Sequence, residues 1–395
     1  MTANDSPRAP SLPPATAFWD SDRPELVALR WEARRRIASP WALLAIALTR
    51  ALLTIPHPVR YRSALRPEGS PINLAVGLVG RSGAGKSTAV SAAETAVHWI
   101  GEDVPESTMV RSGEGIPALL GYMSADKGSD GDPALAWRRH DRAAWLHWDE
   151  VGQLGAQGAR SGSTVLDSIK SLTSGERLGG QNSRGDGLSI PPGSYRAVVT
   201  IAVQPRRAEP LLNESAVAGG LTARFLWFST EDAEAADAMR PGAETDAVAV
   251  PLDQWDSVRY VDALPEMDAA HEADQRAAMR GERDPEDSRR VLNRAFIAIA
   301  LANMAGRSVL TSEDWHLAGA VLRHSDDTLA DMRAEALAPD PSELRAEAAQ
   351  EDRIVAKVAE VRATGAAWGY VKRALTRGDR PVLDQMVREG LVIKW

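Results

Sequence analysis

Apolar and polar positions arrange this chain into two kinds of stretch. Residues 25–38 (ELVALRWEARRRIA) and 41–55, parted by Pro40, read as two successive helices. The second is the most apolar stretch of the chain. It lies between Pro40 and Pro56, carries Arg50, and falls short of the about 20 apolar residues that a membrane span needs, so it predicts a buried helix. Four runs are apolar and β-rich: 74–79 (LAVGLV), 144–148 (AWLHW), 197–203 (AVVTIAV) and 225–228 (FLWF). Such runs suit strands covered on both faces. Helix-compatible segments at 88–100, 110–120 and 163–171 fall between them. Later, Leu292, Ala295, Phe296 and Ile299 share one helical face, and Thr311 with Asp314 caps a helix over 313–329. The order predicts an α/β fold with a helical lid.

Composition and charge draw the boundaries. The 395 residues are enough for two or three domains. Residues 1–16 are polar and proline-rich, without the apolar core of a signal peptide, and predict a disordered tail. A helical region over 17–68 and an α/β core over 69–232 follow. Residues 231–290 hold seventeen acidic and seven basic residues, which predicts a solvated acidic connector over 233–287. The lid is placed at 288–345, with Arg290 and Arg294 both open as its phosphate sensor. Residues 366–375 and 380–389 make a helix-turn-helix pattern, Gly390 stops the last helix, and 391–395 (LVIKW) reads as a strand. This is a winged-helix outline over 346–395. The net charge of −8 argues against a uniformly basic nucleic-acid binder. The absence of cysteine fits a reducing cytoplasm. The run Arg34, Arg35, Arg36 reads as a solvated face or a DNA contact, and Arg184-Gly185-Asp186 as a coincidental tripeptide.

The chemistry is concentrated after residue 79. Gly80, Arg81, Ser82, Gly83, Ala84, Gly85, Lys86 and Ser87 fit G-x-x-x-x-G-K-[ST], and Thr88 opens the following helix. Glycines allow backbone N–H groups to approach phosphate, and the helix offers its positive end. Lys86 suits the β- and γ-phosphates of ATP, and the Ser87 hydroxyl suits Mg²⁺. A second apolar run ends in Asp149-Glu150, where Asp149 suits the Mg²⁺ shell and Glu150 suits activation of a water. His147 has no partner at ligand spacing and reads as structural. Gln204 ends the run 197–203, in the place of a γ-phosphate sensor. Arg224, just before the next strand, suits an arginine finger for a neighbouring subunit, with Arg206 and Arg207 as competitors.

Together these pieces resemble a family of AAA+ ATPases from actinobacterial phages, prophages and integrative elements, described as primase-helicase or replication helicase proteins. The resemblance runs from about residue 18 to the end. It is carried by LVGRSGAGKS, RSGEGIPALL, LHWDEVGQL, RSGSTVLDSIKSLTSGERLGG, GSYRAVVTIAVQPRRAEPLL, GGLTARFLWF and LTSEDWHLAGAVLRHSD. It implies a P-loop AAA+ core in a homo-oligomeric ring, a hexamer by expectation, with catalytic Lys86, Glu150, Gln204 and Arg224. It also implies a pore hairpin touching single-stranded or forked DNA, with Lys170, Arg177 and Arg184 as contacts. Lys372, Arg373 and Arg380 are the DNA candidates of the C-terminal module. Priming would need a separate primase, and no membrane partner is expected. The rivals are an ATP-switched replication initiator or helicase loader that does not unwind, and a defence or signalling ATPase.

Overall fold

The computed structural model describes residues 12–100, 104–127, 133–140, 143–159, 164–180, 187–241, 247–339 and 341–395. The chain forms two compact units, Met1–Ala336 and Leu337–Trp395. In the first, a 3-10 turn at Ala15–Asp20 leads into α1 (Pro24–Arg36) and α2 (Pro40–Thr54). Both helices begin on proline, whose fixed φ and missing N–H cost little at the first helical position. Strands β1 (Arg60–Ser63) and β2 (Arg66–Pro71) form a hairpin, and β3 (Leu74–Val79) runs through the glycine loop into α3 (Lys86–Ala96). Next come β4 (Val97–Ile100), β5 (Ser107–Thr108), α4 (Gly115–Leu120) and a long hairpin of β6 (Gly121–Lys127) and β7 (Pro133–Arg139). They are followed by β8 (Ala144–Trp148), α5 (Val151–Gly158), α6 (Val165–Ser174) and the small pair β9 (Leu178–Gly179) and β10 (Ser189–Ile190). Then β11 (Ala197–Val203), α7 (Glu209–Leu212), α8 (Glu214–Ala218), β12 (Phe225–Ser229) and α9 (Ala233–Asp237) follow. The unit closes with β13 (Val248–Pro251), β14 (Tyr260–Asp262), α10 (Pro265–Met279), α11 (Arg290–Met304) and α12 (Ser312–Leu337).

Five strands make one parallel sheet in the order β12-β3-β11-β8-β5. Successive side chains go to opposite faces. Leu74, Val76 and Leu78 join Trp145, Val198, Leu226 and Phe228 in one core with α2, α3 and α11. Ala75 and Val79 join Leu146, Trp148, Val199, Ile201 and Trp227 in the other, with α5 and α6. Burial on both sides explains why β3, β8, β11 and β12 are largely apolar, with His147 and Thr200 the polar side chains inside β8 and β11. Trp227 is in register with Gly77, and a Cβ there would lie 2.5 Å from the indole ring. Helices α2 and α11 pack on each other and are buried nearly all round. Among the described residues no helix is long and apolar enough to cross a membrane.

Several expectations need correction. Of the tail at 1–16, residues 1–11 lie outside the described residues, while Leu12 and Ala15 pack against the first core. The region 17–68 is not wholly helical, because β1 and β2 begin within it. The acidic connector 233–287 is woven into the fold. Its β13 pairs with β4, its β14 pairs with β1, and Trp255 and Met267 are buried anchors. Acidic residues outnumber basic ones there, but burial of Ala235, Val250, Trp255, Val261 and Met267 seats the segment. Helix α12 runs eight residues past the expected end at 329.

The second unit contains α13 (Pro341–Ala363), α14 (Gly369–Ala374) and α15 (Asp379–Arg388) around Ile354, Val358, Val371, Leu383 and Met386. Residues 391–395 form no strand, so the expected wing is absent. Among the described residues of this unit there is no other strand to pair with. Instead the tail folds back: Leu391 N–H donates to Met386 O, and the Trp395 indole donates to Ala366 O and packs edge-on against Trp368.

Candidate nucleotide site

The glycine loop sits at the C-terminal edge of the sheet and is tied there by its neighbours. Gly80 N–H donates to Val203 O at 3.0 Å, and Thr230 N–H donates to Val79 O at 2.8 Å. A Cβ on Gly80 would lie 2.0 Å from Thr230 Oγ1, so only glycine fits between these strands. Gly85 turns the chain with φ 76° and becomes the N-cap of α3. No side chain caps this helix, which leaves its first-turn N–H groups and positive end available to an anion. Arg81, Ser82, Gly83 and Ser87 are exposed, and Ala84, Gly85, Lys86 and Thr88 are partly so.

Lys86 Nζ donates to Gly80 O at 2.8 Å and Arg81 O at 2.7 Å, which folds the ammonium over the loop. Partial burial pulls its pKa down, against Glu231 and Glu150, whose charges hold it up. Glu231 also accepts from Arg81 N–H at 2.8 Å, and the Arg81 guanidinium lies 3.4 Å from Glu335. Both acids were missed in the sequence. Glu231 follows β12, and only the pairing of β12 with β3 brings it to the loop.

The Asp149-Glu150 pair reaches the same edge from β8. Because β11 lies between β3 and β8, Gln204 falls between the glycine loop and the acidic pair. The structure therefore brings together Gly80 to Thr88, Asp149, Glu150 and Gln204 at one edge. Glu150 is ion-paired with Arg207, one turn beyond Gln204. Asp149 is largely exposed, and one of its oxygens lies 3.1 Å from His147 Nε2. His147 Nδ1 lies 2.7 Å from Thr200 Oγ1, to which the Trp145 indole donates at 2.8 Å. Burial holds the His147 pKa below the ordinary imidazole range, against the pull of Asp149.

Arg224 is elsewhere. It precedes Phe225, which pairs with Ala75 at the start of β3, so it lies at the N-terminal edge. Its guanidinium donates to Lys170 O, Gly220 O and Ser174 Oγ. Arg289 donates to the same Ser174 Oγ and to Thr173 O. The two arginines thus close the C-terminus of α6, where free carbonyls and the helix dipole favour cations. Arg290 pairs with Asp326, and Arg294 donates to Trp315 O with its guanidinium 3.7 Å from the Trp315 ring.

The DNA candidates that are described are placed as follows. Lys170 pairs with Asp167 at 2.6 Å on α6, rather than on a hairpin. Arg177 is exposed beside the β9–β10 pair and donates to Ser189, and Arg184 lies outside the described residues. In the second unit Lys372 pairs with Asp384 at 2.6 Å, while Arg373 and Arg380 are exposed. Arg35 and Arg36 both pair with Glu32. No family model matches the sequence, and no curated protein matches it significantly.

Proposed function

We propose that the chain is an ATP hydrolase of the AAA+ type, acting on DNA as a ring-shaped helicase or translocase in the replication of a phage, plasmid or integrative element. The observation that carries the reading is the sheet order. A strand ending in Gln204 lies between a strand ending in a phosphate loop and one ending in an acidic pair. Triphosphate binding needs unpaired N–H donors, a lysine and an open approach, and the loop, α3 and Lys86 supply all three.

Ser87 and Asp149 would be the donors for Mg²⁺, which would neutralise charge on the β- and γ-phosphates. One hydroxyl and one carboxylate suit an ion that takes its other ligands from phosphate and water. Among the described residues no three His, Asp or Glu side chains are grouped to hold a metal by themselves. Glu150 takes the proton of the attacking water as its oxygen bonds to the γ-phosphorus and the bond to the bridging oxygen breaks. To act, it must leave Arg207. Gln204 orients the water or the γ-phosphate. Arg224 lies at the opposite edge of the sheet from the nucleotide of its own chain, so in this reading it could act only on the nucleotide of a neighbouring copy, after releasing its partners at the end of α6. A homo-oligomer, hexameric by expectation, and a separate primase belong to this reading.

The experiment is ATP hydrolysis with and without single-stranded DNA. The expected result is stimulation by DNA that falls steeply with salt. Hydrolysis indifferent to DNA, with no salt-sensitive DNA binding, overturns the helicase reading. One observation favours a second reading, an ATP-switched initiator or loader. Lys170 and Lys372 are each neutralised by an aspartate. A footprint on one duplex site without strand separation would select it.

A further inference from the structure

We propose that His147 is a positioning residue for Asp149, and that Trp145, Thr200 and Asp149 together select the ring tautomer that lets it act. The inference rests on the reading of Asp149 as the carboxylate that serves Mg²⁺. The parallel register places His147 directly opposite Thr200. Residues 145 and 147 share one face of β8 by the two-residue period of a strand, and Asp149 follows directly after the strand.

The direction of each hydrogen bond follows from what each group can do. An indole N–H only donates, so the 2.8 Å contact of Trp145 Nε1 uses a lone pair of Thr200 Oγ1. The hydroxyl keeps one proton. Two arrangements satisfy it: the hydroxyl donates to His147 Nδ1 at 2.7 Å, or it donates to Leu146 O at 3.4 Å and accepts from Nδ1–H, and the anionic Asp149 Oδ1 facing Nε2 selects the first. Nδ1 is then an acceptor, so the proton of the neutral ring resides on Nε2. That nitrogen faces Asp149 Oδ1 at 3.1 Å, as donor to carboxylate. The opposite tautomer would set a nitrogen lone pair against an anionic oxygen. Thr200 is fully buried and Trp145 is 5% exposed, so bulk water does not compete for the bond between them.

The consequence falls on Asp149. Among the described residues, His147 is the side chain that holds this exposed carboxylate. With Oδ1 engaged, the carboxylate loses rotational freedom and Oδ2 is left for a metal or its water. Partners of this kind tune metal affinity by about 10- to 100-fold.

The test uses the full chain in two measurements. Long-range ¹H–¹⁵N spectra of the histidine rings, in metal-free protein, report the tautomer of His147 against His147→Gln. The account expects the Nε2–H form, retained in Thr200→Ser and lost or mixed in Thr200→Val. Mn²⁺ titration of the complex with a non-hydrolysable ATP analogue, read by electron paramagnetic resonance, reports metal affinity. His147→Leu should weaken it about 10-fold, with the nucleotide affinity in chelator unchanged. His147→Gln, which retains an N–H donor, should recover most of the loss. A ring protonated on Nδ1 overturns the proposal, as does unchanged Mn²⁺ affinity in His147→Leu. Failure of the wild type to bind the analogue with Mn²⁺ removes the nucleotide reading as well. That failure shows in the wild type, whereas the other two show in the metal-free spectrum or only in the variant.

Discussion

The two edges of the parallel sheet use cations in opposite ways. At the C-terminal edge Lys86 rests on two loop carbonyls, beside an uncapped helix start and the exposed Asp149. At the N-terminal edge Arg224 and Arg289 rest on carbonyls and Ser174 at the end of α6, and Arg196 is buried with donors to Ile55, Ile72, Pro56 and Val59. Burial, with Arg60 nearby, pushes the Arg196 pKa down to about 9, and burial together with Arg224 and Arg66 pushes Arg289 down to about 10. A cation on carbonyls is therefore not by itself a site. What separates the edges is what remains unsatisfied. Helix donors and acids face solvent at one edge, while at the other the helix C-terminus is already closed.

The sharpest break between the edges is chemical. Glu150→Gln should lower kcat by at least about 100-fold, the lower range for loss of a general base, with nucleotide affinity retained. Next is structural. Arg196→Met leaves four carbonyls without their donor, and urea denaturation should show a loss of about 3 kcal/mol. Equal stability would mean that the guanidinium only fills space. Gly77→Ala presses on the Trp227 ring from within the sheet, and should cost about 1–3 kcal/mol in the same assay.

A fourth comparison is in pH. His324 stacks on Trp41 and accepts from Ser229 N–H, and burial pushes its pKa down to about 3. The folded state thus resists a proton that the unfolded chain takes up below about 6.5. The stabilisation is fully present above that pH and is lost as pH falls from there toward 3, at up to about 1.4 kcal/mol per pH unit. His324→Gln should flatten this slope in thermal melts. A slope unchanged by the substitution would place the acid sensitivity elsewhere. The smallest effect is expected from Arg207→Ala. Its ion pair with Glu150 is solvent-exposed, so stability should shift by less than about 1 kcal/mol while hydrolysis changes measurably.

Much of the edge that carries the site was legible beforehand. Largely apolar runs at 74–79, 144–148 and 197–203 match β3, β8 and β11 with the same bounds, because burial on both faces leaves His147 and Thr200 as the only polar positions in them. Pro40 marked the start of α2. The rest depended on long-range pairing. The hairpin β6–β7 is hard to read locally, because its single short apolar run, residues 134–137, is followed by charged residues and has no apolar counterpart of similar length in β6. The connector looked solvated because its anchors are few and far apart. Residues 391–395 have strand composition, yet a strand needs a partner, and the Trp395–Trp368 contact takes the tail instead. The contacts of Glu231 with the glycine loop and of His147 with Thr200 rest on which strand lies beside which, and no local pattern encodes that.

The most direct measurement of the central claim is calorimetric titration of Mg²⁺–ATP into wild type, Lys86→Ala and Arg224→Ala, each checked for folding by thermal melt. Saturable one-site binding is expected in wild type and in Arg224→Ala, and at least a tenfold loss, about 1.4 kcal/mol, in Lys86→Ala. Equal binding in Lys86→Ala, or none in wild type, would contradict a nucleotide site at the C-terminal edge of the sheet.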